Sequence, residues 1–469
     1  MASVSRRVHT RIVAPVAEHN LIVISDLHLG SDLVQHSRPD APRRPESSSR
    51  RERDLVALIG WYREHRQRGL PWRLVIAGDF IDFVGMSVMT EDTLETALIG
   101  EELEHGLGGA PDHSVAKLRL VMQHHAEIMK ALALFVDAGN TLVIVRGNHD
   151  VEWHWERVQN EFRMKLGEYA PGSERHVEFV PWFYYEEGIV YVEHGHQYDK
   201  YCSYEHVLHP VSPDDPRRTA RSLSDVLLRY VVRPTRGMTE SGHDVAGVLD
   251  YIRFAVRLGT SGMLALARRF ASANRVLLTL WREHLGEAVK AVKREHERKL
   301  QQLSQAYQIS QDRLRRLAAL QRRPVTTNLV DTLISVMLDR IALFVVGVFS
   351  AVLLGGLGYA LRYLRRSLEP SAELRERSAL VARVFPAAFI VMGHTHLPEV
   401  RATNTNSTYV NLGAWAEDEL EEGASPKLPA SRTHLVVARG GDEPRAELLI
   451  WDTDGPRPYA ASTTTGKKA

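Results

Sequence analysis

The chain is organised around Gly147-Asn148-His149-Asp150, which follows the apolar run Thr141-Leu142-Val143-Ile144-Val145. A short run of β-branched residues predicts a buried strand, and open α/β sheets bind ligands at the carboxyl ends of such strands. The polar tetrapeptide would then stand at that edge of the sheet. Alone it is weakly specific, because turns at strand ends also favour Gly, Asn and Asp. It gains weight because the same pattern recurs along the chain.

Four other apolar runs end in residues that can bind metals or transfer protons. A capping Asp or a satisfied histidine explains any one of them, but five in succession are hard to obtain by chance. The four runs, each with the residues that end it, are Leu21-Ile22-Val23-Ile24 with Ser25-Asp26-Leu27-His28, Leu74-Val75-Ile76-Ala77 with Gly78-Asp79, Ile189-Val190-Tyr191-Val192 with Glu193-His194-Gly195-His196, and Phe389-Ile390-Val391-Met392 with Gly393-His394-Thr395-His396.

The side chains at these strand ends form a mixed set of imidazoles, carboxylates and a carboxamide. Such a set suits Mn²⁺, Fe²⁺ or Zn²⁺ and is too rich in nitrogen for a preference for Ca²⁺ or Mg²⁺. There are enough ligands for two ions if one carboxylate bridges them. Two ions about 3.5–4 Å apart can activate water and hold the oxygens of an in-line displacement at phosphorus. The sequence therefore predicts hydrolysis of a phosphoester.

The order of the five motifs resembles that of the calcineurin-like metallophosphoesterase superfamily, which is D-x-H, G-D, G-N-H-D/E, H and G-H-x-H. The resemblance covers residues 21–200 and 385–415. It implies an α/β fold, namely a four-layer α/β/β/α sandwich built on two sheets, here with a large all-helical insertion. Strand-like segments around Thr408 to Leu412, His434 to Ala438 and Leu448 to Trp451 are predicted to form the second sheet.

The resemblance also implies a role for each motif residue. His149 is expected to stabilise the phosphoryl transition state or to protonate the leaving oxygen, with Asp150 orienting it. Asp82 and His196 are expected to support the site from behind the ligands, and Trp153 and Trp155 to wall the pocket. The expected metal ligands are Asp26, His28 and His396 for the first ion, Asp79 as the bridge, and Asn148, His194 and His394 for the second.

Four divisions of the chain follow from these patterns. They are residues 1–200 and 385–455 as the two parts of the phosphoesterase domain, 201–384 as the helical insertion, and 456–469 as a disordered tail. Residues 31–53, rich in Ser, Pro and Arg, are expected to form a mobile loop. An approximate heptad in the insertion predicts a long helix able to pair with a partner helix; its members are Leu300, Leu303, Tyr307, Leu314 and Leu317.

Residues 341–361 are 21 residues without a charge and are a candidate for crossing a membrane. A single crossing would separate His394 and His396 from the other ligands, so the number of crossings between the motifs must be even. Monotopic insertion is the preferred hypothesis, and a buried lid helix or a dimer contact is the alternative. The basic stretch 286–323, with ten Lys or Arg against four Asp or Glu, is a solvated face or a contact with anionic lipid.

Composition limits the remaining choices. The 469-residue chain has a net charge of +1, so no global field favours nucleic acid, and no nucleic-acid partner is expected. Cys202 is the only cysteine, which excludes internal disulfides and a thiolate zinc cluster. Met1 to Asn20 has no continuous apolar segment after its arginines, so a cytoplasmic, membrane-associated location is expected.

The substrate is the most open question. Tyr409-Val410-Asn411-Leu412-Gly413-Ala414-Trp415 resembles the segment after G-H-T-H in UDP-diacylglucosamine pyrophosphatases, although those enzymes often have Arg in place of His149. We expect two divalent transition metals, Mn²⁺ first among them, and a phosphorylated, lipid-linked small molecule as substrate, with a homo-oligomer compatible. The alternatives are a soluble-substrate phosphodiesterase or protein phosphatase with an anchoring insert, and a non-catalytic metal-binding membrane scaffold.

Overall fold

The computed structural model describes nine segments of the chain, and for residues 248–258 it describes the backbone alone. The segments are residues 18–41, 43–235, 248–328, 330–332, 370–403, 405–416, 431–439, 444–453 and 455–459. The strands are β1 Asn20–Ile24, β2 Trp72–Ala77, β3 Thr141–Val145, β4 Val177–Val180, β5 Phe183–Glu186, β6 Gly188–Glu193, β7 Ala387–Met392, β8 Glu399–Ala402, β9 Thr408–Asn411, β10 Thr433–Ala438, β11 Arg445–Asp452 and β12 Gly455–Pro458. The helices are α1 Glu46–Glu64, α2 Gly100–His105, α3 Pro111–His124, α4 Ala126–Asp137, α5 Glu156–Tyr169, α6 Leu223–Leu227, α7 Val248–Glu283, α8 Ala288–Tyr307, α9 Gln311–Leu320 and α10 Pro370–Val384.

The strands form two sheets. The larger has the order β12-β11-β10-β1-β2-β3-β4, and the smaller has the order β5-β6-β7-β9-β8. In each sheet the central strands are parallel: β1 to β4 in the larger, and β6, β7 and β9 in the smaller. The carboxyl ends of parallel neighbours lie at one edge of a sheet, so the motif that ends each strand is delivered to that edge.

Alternate residues of the larger sheet enter different cores. Ile22 and Ile24 of β1 face α1, α3, α4 and α5, whereas Leu21 and Val23 face the smaller sheet. A strand that is buried on both faces must be apolar throughout, which explains the short continuous runs of Val and Ile. With α9 and α10 packed on the smaller sheet, the predicted α/β sandwich of two sheets between helices is confirmed.

The predicted placement of the late strands is wrong in part. Only the segment of β9 joins the smaller sheet; β10 pairs antiparallel with β1, and β11 pairs with β10, so both extend the larger sheet. Alternating hydrophobicity identifies a strand but does not select its partner. The predicted disordered tail, residues 456–469, is also wrong for its first residues, because 456–458 belong to β12, which pairs with β11. The loop predicted over residues 31–53 contains the start of α1, at Glu46.

The heptad of the insertion belongs to two helices, not to one long helix. The chain turns between α8 and α9 at Gln308, whose φ of 56° is left-handed, and Ser310 caps α9 by accepting from the Arg313 amide. The heptad residues join the core around the smaller sheet, and the Arg313 guanidinium lies 4.3 Å from the centre of the Phe385 ring. This apolar face is covered by the chain itself, so it does not pair with a partner helix.

None of the helices in the described segments is both long and apolar enough to span a membrane. The predicted apolar segment 341–361 lies outside the described residues.

Candidate active site

The five motif loops meet at one edge of the sandwich. Three follow β1, β2 and β3 of the larger sheet, and two follow β6 and β7 of the smaller sheet. Residues that are 368 positions apart, such as His28 and His396, are thereby brought within 3.3 Å of each other, measured between their Nε2 atoms. The structure brings all seven predicted metal ligands to this edge.

The first group of ligands is Asp26, His28 and His396, whose ligand atoms lie within 4.8 Å of one another. Asp26 Oδ1 is 3.2 Å from His396 Nε2 and 3.9 Å from His28 Nε2. Asp26 also accepts a hydrogen bond from Ser25 Oγ, which fixes the orientation of the carboxylate. Asp26 is fully buried, whereas the side chain of His396 is 19% exposed and forms part of the open side of the site.

Asp79 stands between this group and the next. Its Oδ1 accepts a hydrogen bond from the His149 amide at 2.9 Å, and its Oδ2 is 3.0 Å from His194 Nε2 and 3.7 Å from His28 Nε2. His194 Nε2 is also 3.1 Å from Asn148 Oδ1. The carboxylate of Asp79 therefore has one oxygen directed to both sets of imidazoles, as a bridging ligand requires.

His394 lies beside the second group, and its ring has a partner that the sequence did not predict. Its amide lies 3.2 Å from Asp26 Oδ2, and its ring centroid lies 5.3 Å from that of His194. Its Nε2 is 3.3 Å from Asp199 Oδ2, which leaves Nδ1 as the nitrogen available to a metal. Asp199 follows no apolar run, so strand periodicity could not have identified it.

The backbone at the site is strained. Five of the seven predicted ligands have left-handed φ values between 45° and 72°: Asp26, His28, Asp79, His394 and His396. Such residues persist only where the surrounding structure holds them, and they cluster at functional sites. Gly78 also has a left-handed φ, of +86°. A Cβ at this position would lie 2.5 Å from the His194 ring, so the close approach of the two residues requires glycine. A Cβ on Gly393 would overlap Ser25 Oγ.

The donor set fits divalent transition metals. Burial opposes charge on Asp26, but His194 and His396 lower its pKa to about 2. Burial likewise disfavours a charged His194, yet Asp79 and Asp26 raise its pKa to about 9. The buried carboxylates therefore remain ionised, and a positive charge close to them is needed to offset the cost of burying them. A metal cation would meet that demand in place of the imidazolium proton.

Residues 19–237 match the model of the family described as calcineurin-like phosphoesterase. These residues form a calcineurin-like phosphoesterase domain. A search of curated proteins found no match to the chain. The family match ends at residue 237, before the fifth motif. In the structure that motif nevertheless joins the others, because His394 and His396 lie against Asp26. The protein is thus a metal-dependent hydrolase of phosphoester bonds.

The phosphoesterase holds His149 in a way that differs from the sequence prediction. Asp82, not Asp150, is hydrogen-bonded to the imidazole, with 2.8 Å between Asp82 Oδ1 and His149 Nδ1. Arg233 donates to the other oxygen of Asp82 at 2.8 Å. Burial opposes the charge on Asp82, but His149 and Arg233 keep the pKa of this carboxyl well below its usual range. Arg233 comes from the predicted insertion, which therefore contributes to the site.

Asp150 holds the loops of the phosphoesterase together. Its Oδ1 accepts from the Gly147 amide at 2.6 Å and its Oδ2 accepts from the Phe80 amide at 2.8 Å, so it ties the loop after β3 to the loop after β2. Burial and the nearby charge of Asp79 raise the pKa of Asp150 to about 7. Its role is to position the loops, because both of its oxygens are directed to backbone amides.

The remaining predicted residues lie behind or beside the site. His196 is buried, and its Nε2 is 3.0 Å from Nε2 of the Gln197 side chain. Trp153 packs in the core against Phe80, and it lines a cleft together with Arg146; none of the predicted ligands is among the residues that line this cleft in the described part of the chain. Trp155 donates its indole N–H to the Gly109 carbonyl at 2.9 Å.

Proposed function

We propose that this phosphoesterase uses two divalent transition metals, Mn²⁺ first among them, to hydrolyse a phosphoester or pyrophosphate bond. The observation that supports the proposal is the position of Asp79, whose Oδ2 lies within 3.0 Å of His194 and 3.7 Å of His28. One ion would be held by Asp26, His28 and His396, and the other by Asn148, His194 and His394, with Asp79 shared.

Bound there, the ions would act as Lewis acids that stabilise phosphoryl charge and lower the pKa of water. The chain's own contribution is proton transfer by His149. Asp82 accepts a hydrogen bond from the Nδ1–H group, which sets the tautomer and stabilises the imidazolium form. Nε2 is then the nitrogen that delivers a proton to the leaving oxygen, which otherwise departs as an unstable alkoxide. Arg233 and Asp82 keep the ring in place throughout.

The test is metal-dependent turnover of simple phosphoesters. Protein stripped with a chelator and reconstituted with Mn²⁺, Zn²⁺ or Fe²⁺ is assayed on p-nitrophenyl phosphate, bis(p-nitrophenyl) phosphate and inorganic pyrophosphate. We expect no turnover without metal and restored turnover of at least one substrate with Mn²⁺. Turnover that is unchanged after stripping would contradict the proposal, and so would protein that binds both ions and hydrolyses none of the three compounds.

We further propose that the substrate is amphiphilic, with a lipid-linked phosphate or pyrophosphate. A cleft of about 890 Å³ adjoins the catalytic loop, since it is lined by Arg146, next to Gly147 in the chain. Its basic side chains are Arg146, His154 and Lys299, and no Asp or Glu is among the described residues that line it. Lys299 Nζ lies 3.4 Å from His154 Nε2. Burial and the neighbouring Arg146 lower the pKa of Lys299 to about 8.

The rest of the cleft is apolar or neutral, and includes Trp153, Phe179, Leu303 and Tyr307. Two cationic groups, Arg146 and Lys299, without a carboxylate suit an anion, and the aromatic and aliphatic surface beside them suits an acyl chain. Burial and these two charges hold the pKa of His154 well below its usual range, so its imidazole is neutral. The sequence supports the same class through the uncharged stretch 341–361 and through the resemblance to UDP-diacylglucosamine pyrophosphatases. We place the reaction at the cytoplasmic membrane surface on these grounds.

Substitution of Lys299 separates this substrate from a soluble one. Lys299→Gln is expected to raise KM for a long-chain substrate such as CDP-diacylglycerol by about 10- to 150-fold, since a charged hydrogen bond is worth about 1.5–3 kcal/mol. KM for p-nitrophenyl phosphate should not change. Arg298→Gln is the matched control, because Arg298 is exposed and paired with Glu295. If Lys299→Gln affects both substrates equally, or neither, the lipid assignment is wrong and a soluble substrate is favoured.

A further inference from the structure

A cluster of metal-binding side chains lies outside the active site. Within the described residues, five groups of His, Cys, Asp or Glu offer ligand atoms within 4.8 Å of one another. Four of these groups contain Asp26, His28 or His394, which are already placed at the active site. The fifth consists of Asp32, His124 and His125 and shares no residue with the others. We refer to it as the Asp32 cluster.

The two histidines converge because the helix breaks between them. His124 is the last residue of α3, and His125, with φ −114° and ψ 42°, is the joint before α4 begins. On a continuous helix, neighbouring side chains point about 100° apart. Here the two ring centroids are 4.7 Å apart and both rings approach Asp32. The joint contains neither Gly nor Pro, so the usual causes of a break are absent from it.

The cluster contains buried polar atoms that make no hydrogen bond. His125 is fully buried, and neither of its ring nitrogens has a hydrogen-bond partner. Asp32 Oδ1 also makes none, although it lies only 3.8 Å from His125 Nε2. A buried polar atom that is left without a hydrogen bond destabilises the folded protein. A ligand located between Asp32 and His125 would satisfy atoms of both residues at once.

The gap between His125 and Asp32 suits a small cation better than a hydrogen bond. His125 Nε2 is 3.8 Å from Asp32 Oδ1, which is too long for a hydrogen bond. His124 Nε2 is hydrogen-bonded to Asp32 Oδ2 at 2.8 Å, and a bound ion would replace that bond. Ligand atoms around one tetrahedral zinc ion lie about 3–4 Å apart. Ser48 Oγ donates to Asp32 Oδ2 at 2.8 Å and holds the carboxylate in place. Two imidazoles and one carboxylate are the donors that zinc-type ions prefer.

We propose that Asp32, His124 and His125 bind a third divalent transition-metal ion, of the zinc type, separate from the catalytic pair. The ion ties the loop after β1 to the joint between α3 and α4. It also stabilises the active site indirectly, because Ser48, which donates to Asp32, accepts from Arg51, and Arg51 donates to the His28 carbonyl at 3.3 Å. Its role is structural, since none of the three ligands is among the residues of the catalytic groups.

Metal stoichiometry tests the proposal without reference to turnover. Chelator-stripped protein is reconstituted with Zn²⁺, passed through a desalting column and analysed for zinc per chain. We expect three ions in the wild type and one in Asp79→Ala, which lacks the bridge of the catalytic pair. Substitution of Co²⁺ in Asp79→Ala should give the visible absorption of a tetrahedral site. An Asp79→Ala protein that binds no ion would overturn the proposal, whatever the fate of the catalytic pair.

Variants of the cluster localise the ion. Asp32→Asn and His124→Gln, each made in the Asp79→Ala background, should bind no zinc and lose the Co²⁺ absorption. His113→Gln is the matched control, because His113 is a buried histidine of the same helix that is bonded to the Thr96 carbonyl. It should retain the ion. Retention of the ion in both cluster variants, or its loss in the control as well, would overturn the assignment to this cluster.

Discussion

At the scale of single residues, His149 and Asp150 are adjacent in the sequence but make different contacts at the site. Asp150 follows His149 directly, yet its oxygens accept backbone amides of two loops. Asp82, which is 67 positions away from His149, holds its imidazole. A carboxylate that is covalently close to a ring need not be aligned with it, because the direction of a side chain depends on the fold. The motif therefore led to His149 as the proposed proton donor, and it misassigned the carboxylate that is hydrogen-bonded to its ring.

Asp82→Asn should impair proton transfer while leaving the metal ligands in place. We expect kcat to fall about 10- to 100-fold for an ester with a poor leaving group, such as an alkyl phosphate. The fall should be much smaller for p-nitrophenyl phosphate, whose leaving oxygen needs no proton. Equal losses on both substrates, with unchanged metal content, would show that Asp82 does not act through His149.

The positions of the proposed ligands could be predicted from sequence because each follows an apolar run. Parallel strands deliver Asp26, Asp79 and His194 to one edge, so strand periodicity was enough to predict that they lie close together. Asp199 and Arg233 could not be found in this way, since they lie in segments without a repeating pattern. Their contacts, with His394 and Asp82, depend on the path of the chain after β6.

At the scale of elements, the position of a strand in a sheet was harder to predict than its existence. The strands β4 and β5 are separated only by Pro181 and Trp182, yet they lie in different sheets. Proline cannot donate to a sheet ladder, so a change of direction there is expected in retrospect. The register of β10 against β1, with Leu21 opposite Val437, follows from the burial of both faces and not from any local signal.

The junction of β10 with α1 gives a prediction about acid stability. His434 is fully buried on β10 and is hydrogen-bonded to the Tyr62 hydroxyl of α1 at 2.8 Å. Burial lowers the pKa of His434 to about 3. As the pH falls from about 6.5 to 3, the unfolded chain binds a proton that the folded protein does not. Stability is therefore lost over this window, by up to about 1.4 kcal/mol per pH unit.

His434→Phe should reduce this dependence on pH. The variant loses the hydrogen bond to Tyr62 and is expected to be less stable at pH 7. Between pH 6.5 and 4 its free energy of unfolding should fall less steeply than that of the wild type. The two slopes should differ by up to about 1.4 kcal/mol per pH unit, which is the contribution of one proton. Urea unfolding at several pH values measures both slopes, and parallel slopes would contradict the role of His434.

At the scale of the whole molecule, part of the predicted insertion is built into the phosphoesterase core. Leu314 and Leu317 of α9 share a hydrophobic cluster with Tyr191 of β6 and Phe385. The sequence showed their apolar spacing but not what covers it, because a helix face gives no information about its partner. A sheet with one uncovered apolar face and a helix with one apolar stripe bury these surfaces by packing together.

Leu314→Ala tests whether α9 is structural. Leu314 is fully buried, so its truncation should lower the free energy of unfolding by about 2–5 kcal/mol. Leu285→Ala is the control, since Leu285 is 68% exposed and should change the stability by about 0.5 kcal/mol or less. Denaturant midpoints of the two variants give the comparison. If Leu314→Ala leaves the midpoint unchanged, α9 does not belong to the core.

The central claim is that one carboxylate organises two metals while a separate histidine moves the proton. The most direct measurement is the metal content and turnover of Asp79→Ala and His149→Ala, determined on the same preparations. Asp79→Ala should lose both ions of the catalytic pair and all turnover. His149→Ala should retain both ions and lose turnover by about 10²- to 10⁴-fold on an alkyl phosphate. Equal loss of metal in the two variants would contradict this division of roles.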